Sequence, residues 1–323
     1  MGANDGGVAL PLSLIFGGCC SNAWSIEQLL TTDAQIASAL TIIQMLFIAA
    51  HSLPAVLGAD GRFKPPNIPL RKWAAQVLCL TAMSLLNNWV FLYRVPVTVQ
   101  IIFRSAGLLV SMGFNIVFNG KRYTATQVTS VAVVTVGVVI STLSRPASAK
   151  SSVPPDTRSY FIGILLLSLS LVMSGTLGLL QERTFAEHGP HWREGLFYTH
   201  IMSIPLFAVL PGSRRSIDAL LTHDLRTMLP LIVINTLTQS VCVAGVNQLM
   251  SRVSSVSTNI ALTTRKALSL CISVWWFGSG WNAQLGLGAA LVGIGTLAYT
   301  YTSQGQPKPP AKPAEGQGKV KKE

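Results

Sequence analysis

Arg265 and Lys266 stand side by side near the centre of Val256 to Phe277, VSTNIALTTRKALSLCISVWWF. As a helix rising about 1.5 Å per residue, that stretch is long enough to cross a hydrocarbon layer of roughly 30 Å. A cation at mid-bilayer costs about 2.5–3.5 kcal/mol on insertion scales, so such residues face a protein interior or a water-filled cavity. Two together suit an anion. Asn259, Thr263, Lys266, Ser269 and Ser273 recur every three to four residues and form one polar stripe of the helix. Arg265 projects about 100° away from Lys266, so the two reach one cavity only from separate walls or by bending their stems.

The same chemistry recurs in the first half of the chain. Arg104 lies inside Val97 to Phe118 with its own stripe of Gln100, Gly107, Ser111 and Asn115. Asn88-Trp-Val-Phe-Leu-Tyr-Arg94 leads into it, as Asn247-Gln-Leu-Met-Ser-Arg252 leads into the segment carrying Arg265. A glycine-bearing helix follows each, with Gly137 in one and Gly295 in the other. The match predicts an internal repeat.

Around these segments the chain is 323 residues, 50% hydrophobic and 11% charged, with mean hydropathy +0.48. That is a membrane protein's balance. The net charge of +12 sits in short loops and the C-terminal end, where it reads as an orientation signal, not a nucleic-acid surface. Apolar runs predict ten spans: 8–29, 34–58, 72–93, 96–119, 124–144, 160–181, 195–211, 227–249, 256–277 and 283–303. The fold class expected is an all-α membrane protein of ten transmembrane helices in two five-helix repeats, 1–150 and 151–303. Five spans per half is odd, so the halves have inverted orientations and a site falls between them at the midplane. Residues 304–323 are expected to be a disordered basic tail. Fourteen Lys and Arg on the side of the termini against seven opposite place both termini in the cytosol.

Cys19, Cys20, Cys79, Cys242 and Cys271 all lie in apolar runs, and are expected to be core- or lipid-facing thiols without disulfides or metal. Gly286, Gly288, Ala289, Gly293 and Gly295 predict close helix packing, and the same face is a candidate for a homodimer contact. The ending Lys319-Val-Lys321-Lys-Glu323 is similar to a dilysine signal for return to the endoplasmic reticulum; the plainer reading is a solvated basic tail near anionic lipid. An enzyme would need a nucleophile–base pair or paired carboxylates at membrane depth, and the spans present none of convincing spacing.

Several short pieces carry a resemblance: Gly18-Cys19-Cys20-Ser21-Asn22, Phe103-Arg104-Ser105, Lys121-Arg122-Tyr123, Phe197-Tyr198-Thr199-His200 and Thr264-Arg265-Lys266. Together they resemble the nucleotide-sugar transporters of the drug/metabolite transporter superfamily, in particular the UDP-N-acetylglucosamine and UDP-xylose carriers. The resemblance implies a ten-helix exchanger of a cytosolic UDP-sugar for luminal UMP in the endoplasmic reticulum or Golgi, with no cofactor and no metal. It implies sugar-end contacts at Tyr198 and His200 and nucleotide and phosphate contacts at Arg265 and Lys266. Glu27 is a candidate for balancing the buried cations or for a gate. Arg104 is a third candidate cargo contact; the alternative for it and for Arg265 is a structural partner of Glu27 or of helix-end carbonyls. Asn22, Asn88, Asn235, Gln239 and Asn259 are candidate hydrogen-bonders to uracil or sugar, each equally suited to interhelical bonding. Open alternatives are UDP-xylose, UDP-glucose, UDP-glucuronate, an adenine nucleotide or a triose phosphate as cargo, or a non-transporting scaffold.

Overall fold

The computed structural model describes residues 7–93, 95, 97–143, 157–209, 212–223, 225–276 and 283–304; within its helices the side chains of Asn88, Arg104 and Ser273, among others, lie outside the description. The expected tail and most of the midpoint linker also lie outside the described residues. Among the described residues every regular element is a helix, and five helices are long and apolar enough to cross a membrane, or six if one bent pair counts as a single span.

The first span is α1 (Ala9–Leu14), a π-helical turn (Ile15–Cys19) and α2 (Cys20–Thr32) in succession. Next come α3 (Ala37–Ser52), α4 (Leu70–Trp89), α5 (Val97–Asn119) and α6 (Ala125–Leu143). The second half runs through α7 (Thr157–His188), α8 (Trp192–Val209), α9 (Ser213–Thr222) and α10 (Leu225–Met250). It ends with α11 (Ser255–Trp276) and α12 (Ala283–Gln304). The predicted spans coincide with these rods to within a few residues, except that α7 extends to His188 and α3 stops at Ser52, short of the expected 58. The short α9 is unforeseen. It starts after Gly212, whose φ of 97° is a left-handed value that glycine adopts without a Cβ clash, and it lies at 89° to α8.

One face of the bundle, the face of the chain ends, carries Gly7 and Ser303 near the limits of the described residues: Arg252 donates to the Gly7 carbonyl at 3.2 Å, and Gln127 at the start of α6 donates to Ser303 at 3.4 Å. The apolar core is divided among helix contacts. Leu108 and Met112 of α5, Val131 and Val134 of α6, Ile260 of α11 and Val292 of α12 make the largest cluster. Close packing of α6 on α12 follows from glycine. A Cβ built on Gly137 would fall 2.8 Å from the Gly288 carbonyl, and one on Gly295 would fall 2.9 Å from the Ser130 carbonyl. The small residues noted in the sequence act here as the packing reading expects, whereas Gly286 and Gly293 meet nothing within 4 Å.

The cysteine expectation is corrected. Cys19 of the π turn and Cys242 of α10 form a disulfide across 223 residues, with Cα atoms 4.6 Å apart. Apolar surroundings do not keep two thiols apart when their helices touch. Beside them, a Cβ on Gly18 would lie 2.8 Å from the Cys242 backbone nitrogen, so the missing side chain is what admits α10 so closely. Cys20, Cys79 and Cys271 are free.

Candidate functional site

The two polar stripes read from the sequence face each other. Asn115 of α5 donates to the Ser255 hydroxyl at 2.9 Å, and Asn259 of α11 donates to the Ser111 hydroxyl at 3.2 Å. Two turns farther along α11, away from the chain ends, Lys266 enters a cavity of about 420 Å³. Gly107 and Phe103 of α5, Asn87 and Ser84 of α4 and Ser170 and Ser174 of α7 also line it. Asn87 is held in place by donating to the Met83 carbonyl at 2.8 Å and to Ser170 at 2.7 Å. The result is one ammonium among hydroxyls and an amide, with apolar surface from Phe103, Leu167 and Leu171. Such a cavity can bind an anion through Lys266 while hydroxyls and the amide take neutral polar groups.

Arg265 points elsewhere. Its Nε is buried without a protein partner, and its neighbour is Cys20 on α2, whose sulfur accepts from Ser269 at 3.3 Å. The two adjacent cations thus serve different walls of α11, as their angular offset requires. Thr264, on the remaining side, bonds Thr296 of α12 at 2.7 Å.

Asn22, Asn235 and Gln44 knit the first span and α3 to α10. Asn22 donates to the Asn235 carbonyl at 2.9 Å, Gln44 to the Asn235 side-chain oxygen at 2.5 Å, and Asn235 to Ser25 at 3.0 Å. Asn235 is fully buried and its amide is already engaged at both atoms. Tyr198 packs beside Trp73 and Phe185 and stands edge-on to Phe197, with ring centroids 5.3 Å apart. His200 Nδ1 lies 2.7 Å from the Leu196 carbonyl of its own helix. Neither belongs to the wall of the Lys266 cavity, and Gln239 and Glu27 do not line it either. Asn88 and Arg104 have side chains outside the described residues.

Two carboxylates that the sequence reading passed over organise the face of the chain ends. Glu182 of α7 pairs with Lys121 through one oxygen; its other oxygen accepts the Ser255 backbone N–H at 3.0 Å and the Ser255 hydroxyl at 2.8 Å. Glu194 of α8, only 6% exposed, gathers the loop before α4: Asn67 donates through its backbone at 3.0 Å and its side chain at 2.9 Å, Ile68 at 3.1 Å and the Trp73 indole at 3.4 Å. Each lies within a turn or two of a helix end among polar residues, a pattern that sequence alone reads as a solvated face.

Among the described residues the protein is a bundle of helices, several long and apolar enough to cross a membrane, with Lys266 lining a hollow among α4, α5, α7 and α11. The chain belongs to the UAA transporter family, whose model matches residues 7–303. It is 34% identical to the UDP-N-acetylglucosamine transporter yea4 of Schizosaccharomyces pombe, over 93% of this chain and 97% of that one. It is 31% identical to the human nucleotide sugar transporter SLC35B4 over 90% and 93% of the two chains. With the UDP-xylose and UDP-N-acetylglucosamine transporter of Danio rerio the identity is 29%, over 90% and 92%. A crystal structure only 14% identical superposes with a TM-score of 0.63 over 96% of this chain and 98% of its own, a likeness of fold alone. These relatives are transporters, and the protein is not an enzyme.

Proposed function

We propose that the protein exchanges a UDP-sugar, with UDP-N-acetylglucosamine as the first candidate, for UMP across the endoplasmic reticulum or Golgi membrane by alternating access. The observation that carries this reading is Lys266, a cation on a membrane helix, lining a cavity with Asn87, Ser84, Ser170 and Ser174. The family match and the names of the relatives supply the cargo class. A UDP-sugar and UMP share a uridine and a charged phosphate, so one cationic hollow can hold both in turn. We keep Arg104, Arg265, Tyr198, His200, Glu27, Gln239 and Asn259 as contacts or gates of other states in the cycle. Asn88 remains a candidate beside Asn87.

The packing order supports ten spans in two inverted halves, 1–150 and 151–303, and the excess of Lys and Arg on the side of the termini supports a cytosolic place for both. α4 packs on α7 as α10 packs on the first span, and α5 on α6 as α11 on α12. Under the same exchange of halves α3 with α8 and α6 with α12 map onto themselves, α4 with α8 maps onto α10 with α3, and α5 with α7 maps onto α11 with the first span.

Counterflow in proteoliposomes preloaded with UMP tests the function against UDP-N-acetylglucosamine, UDP-xylose, UDP-glucose, UDP-glucuronate and ATP. Uptake of one UDP-sugar that depends on internal UMP is the expected result. Uptake of none, or equal uptake without UMP, would count against exchange.

A further inference from the structure

A second, larger cavity of about 730 Å³ shares no lining residue with the Lys266 cavity. It sits at the face of the chain ends, where α3 finishes and α8 begins, and reaches inward to Ser240 of α10. We propose that it is a separate docking site for a uridine nucleotide, the first stop of the cargo on that face; this rests on the carrier reading above.

The wall of the cavity is built, not incidental. The loop between α3 and α4 folds back on itself through an antiparallel bridge of Leu57 with Phe63, and Lys64 donates its backbone N–H to the Val56 carbonyl at 2.9 Å. Phe63 packs against Phe197 of α8 with centroids 6.2 Å apart. The buried carboxylate of Glu194 then fastens the far end of the loop through Asn67, Ile68 and Trp73. Four N–H donors converge on that carboxylate and disperse its charge, so it orients the loop more than it repels an anion.

The side chains this architecture presents are those a nucleotide needs. Lys64 and Arg193 are exposed cations lining the cavity. The imidazoles of His51 and His191 can each donate to a phosphate oxygen in either charge state. Asn67 spends its amide N–H on Glu194, which leaves its side-chain oxygen as an acceptor for the N3–H of uracil. Trp192 adds a flat apolar surface, with the Arg193 guanidinium 5.2 Å from its ring centroid. The volume is in the range of small-ligand sites, roughly 300–1,000 Å³. Because the cations are in contact with water, their attraction is screened by salt. The site therefore captures weakly and releases quickly, as an entry station must.

The test uses the full chain in UMP-loaded proteoliposomes. The double substitution Lys64→Ala with Arg193→Ala is expected to raise the half-saturating UDP-N-acetylglucosamine concentration about five- to tenfold, retain the maximal rate and flatten its salt dependence. In parallel, UMP is titrated into Lys266→Ala protein. Weak binding that vanishes on adding the two further substitutions is expected. Half-saturation and salt dependence unmoved by the double substitution, or no UMP binding to Lys266→Ala protein, would overturn the second site while leaving the carrier reading intact. Native protein that moves no nucleotide sugar at all would instead overturn the carrier reading and this site with it.

Discussion

Glu182 caps the start of α11 from a neighbouring helix: its carboxylate takes both the backbone N–H and the hydroxyl of Ser255, at 3.0 and 2.8 Å, while its other oxygen holds Lys121. The helix that carries Lys266 is therefore anchored at its first residue to α7 and to the loop before α6. Glu182→Ala removes a cap and leaves a partly buried ammonium without its carboxylate. A loss of about 1–3 kcal/mol is expected, with Glu182→Gln losing less because its oxygen still accepts from Ser255. Thermal unfolding in detergent reads this directly, and equal midpoints for all three proteins would refute the anchoring role.

Lys266→Ala should weaken UMP and UDP-sugar binding about 10- to 100-fold, the scale of one lost hydrogen bond to a charged group. Lys266→Arg should recover part of it. Since a ligand that binds only the folded protein raises apparent stability, the ligand-induced shift in melting temperature is the readout. A shift of native size in Lys266→Ala protein would remove the cavity from consideration as the cargo site.

The Cys19–Cys242 bridge closes a loop of 223 residues, and removing such a bond costs about 2–4 kcal/mol. Alkylation of denatured, unreduced protein should label three cysteines, and five after reduction. Cys19→Ser with Cys242→Ser should melt earlier than native protein. Five labelled cysteines without reduction would exclude the bridge.

Opposite the chain ends, Asp33 lies 2.9 Å from His223 Nε2, and this contact together with the Gln35 backbone N–H holds the Asp33 carboxyl below its ordinary value. A lowered folded value means that Asp33 stabilises above its unfolded pKa of about 3.9 and loses that contribution as pH falls through the folded value. Native protein should therefore melt above Asp33→Asn near pH 6, and the gap should close on acidification below about pH 4. A gap independent of pH would show that the carboxylate's charge is immaterial.

Gly288→Ala tests the tightest helix contact. A Cβ there would sit 2.6 Å from the Gly137 carbonyl and from the Ser141 backbone nitrogen, neither of which is a flexible side-chain end. Overpacking of this kind costs about 1–3 kcal/mol. Gly286→Ala, with nothing within 4 Å, is the matched control and should be neutral or mildly stabilising. Equal melting of the two variants would mean the helices are not packed this closely.

Much of this arrangement was legible from hydropathy and periodicity alone. The rods follow from apolar runs, and the stripes of α5 and α11 meet because a 3.6-residue period puts Asn115, Ser111, Asn259 and Lys266 on facing sides. Lys266 could be found because a cation at membrane depth needs a polar reason. Asn87 was not among the candidates, since hydropathy does not say which face of α4 turns inward. Glu182, Glu194 and the disulfide were illegible for another cause: each acts on residues dozens to hundreds of positions away, and no local pattern encodes the partner. The short α9 escaped because its mixed charged and apolar residues resemble a loop; what fixes it is Ser216 capping the Ala39 N–H at 2.9 Å.

The π turn at Ile15–Cys19 has an outcome for the whole first span. A wider turn accommodates an additional residue without shortening the rod, which rotates everything after it by about 100° relative to unbroken α-helical winding. From its end, Cys19, Asn22 and Ser25 follow at steps of three, one face of an ordinary α-helix, and all meet α10, at Cys242 and Asn235. Deleting a single residue from 15–19 would unscrew the second part of the span, carrying the amide away from Asn235 while leaving composition and hydropathy almost untouched.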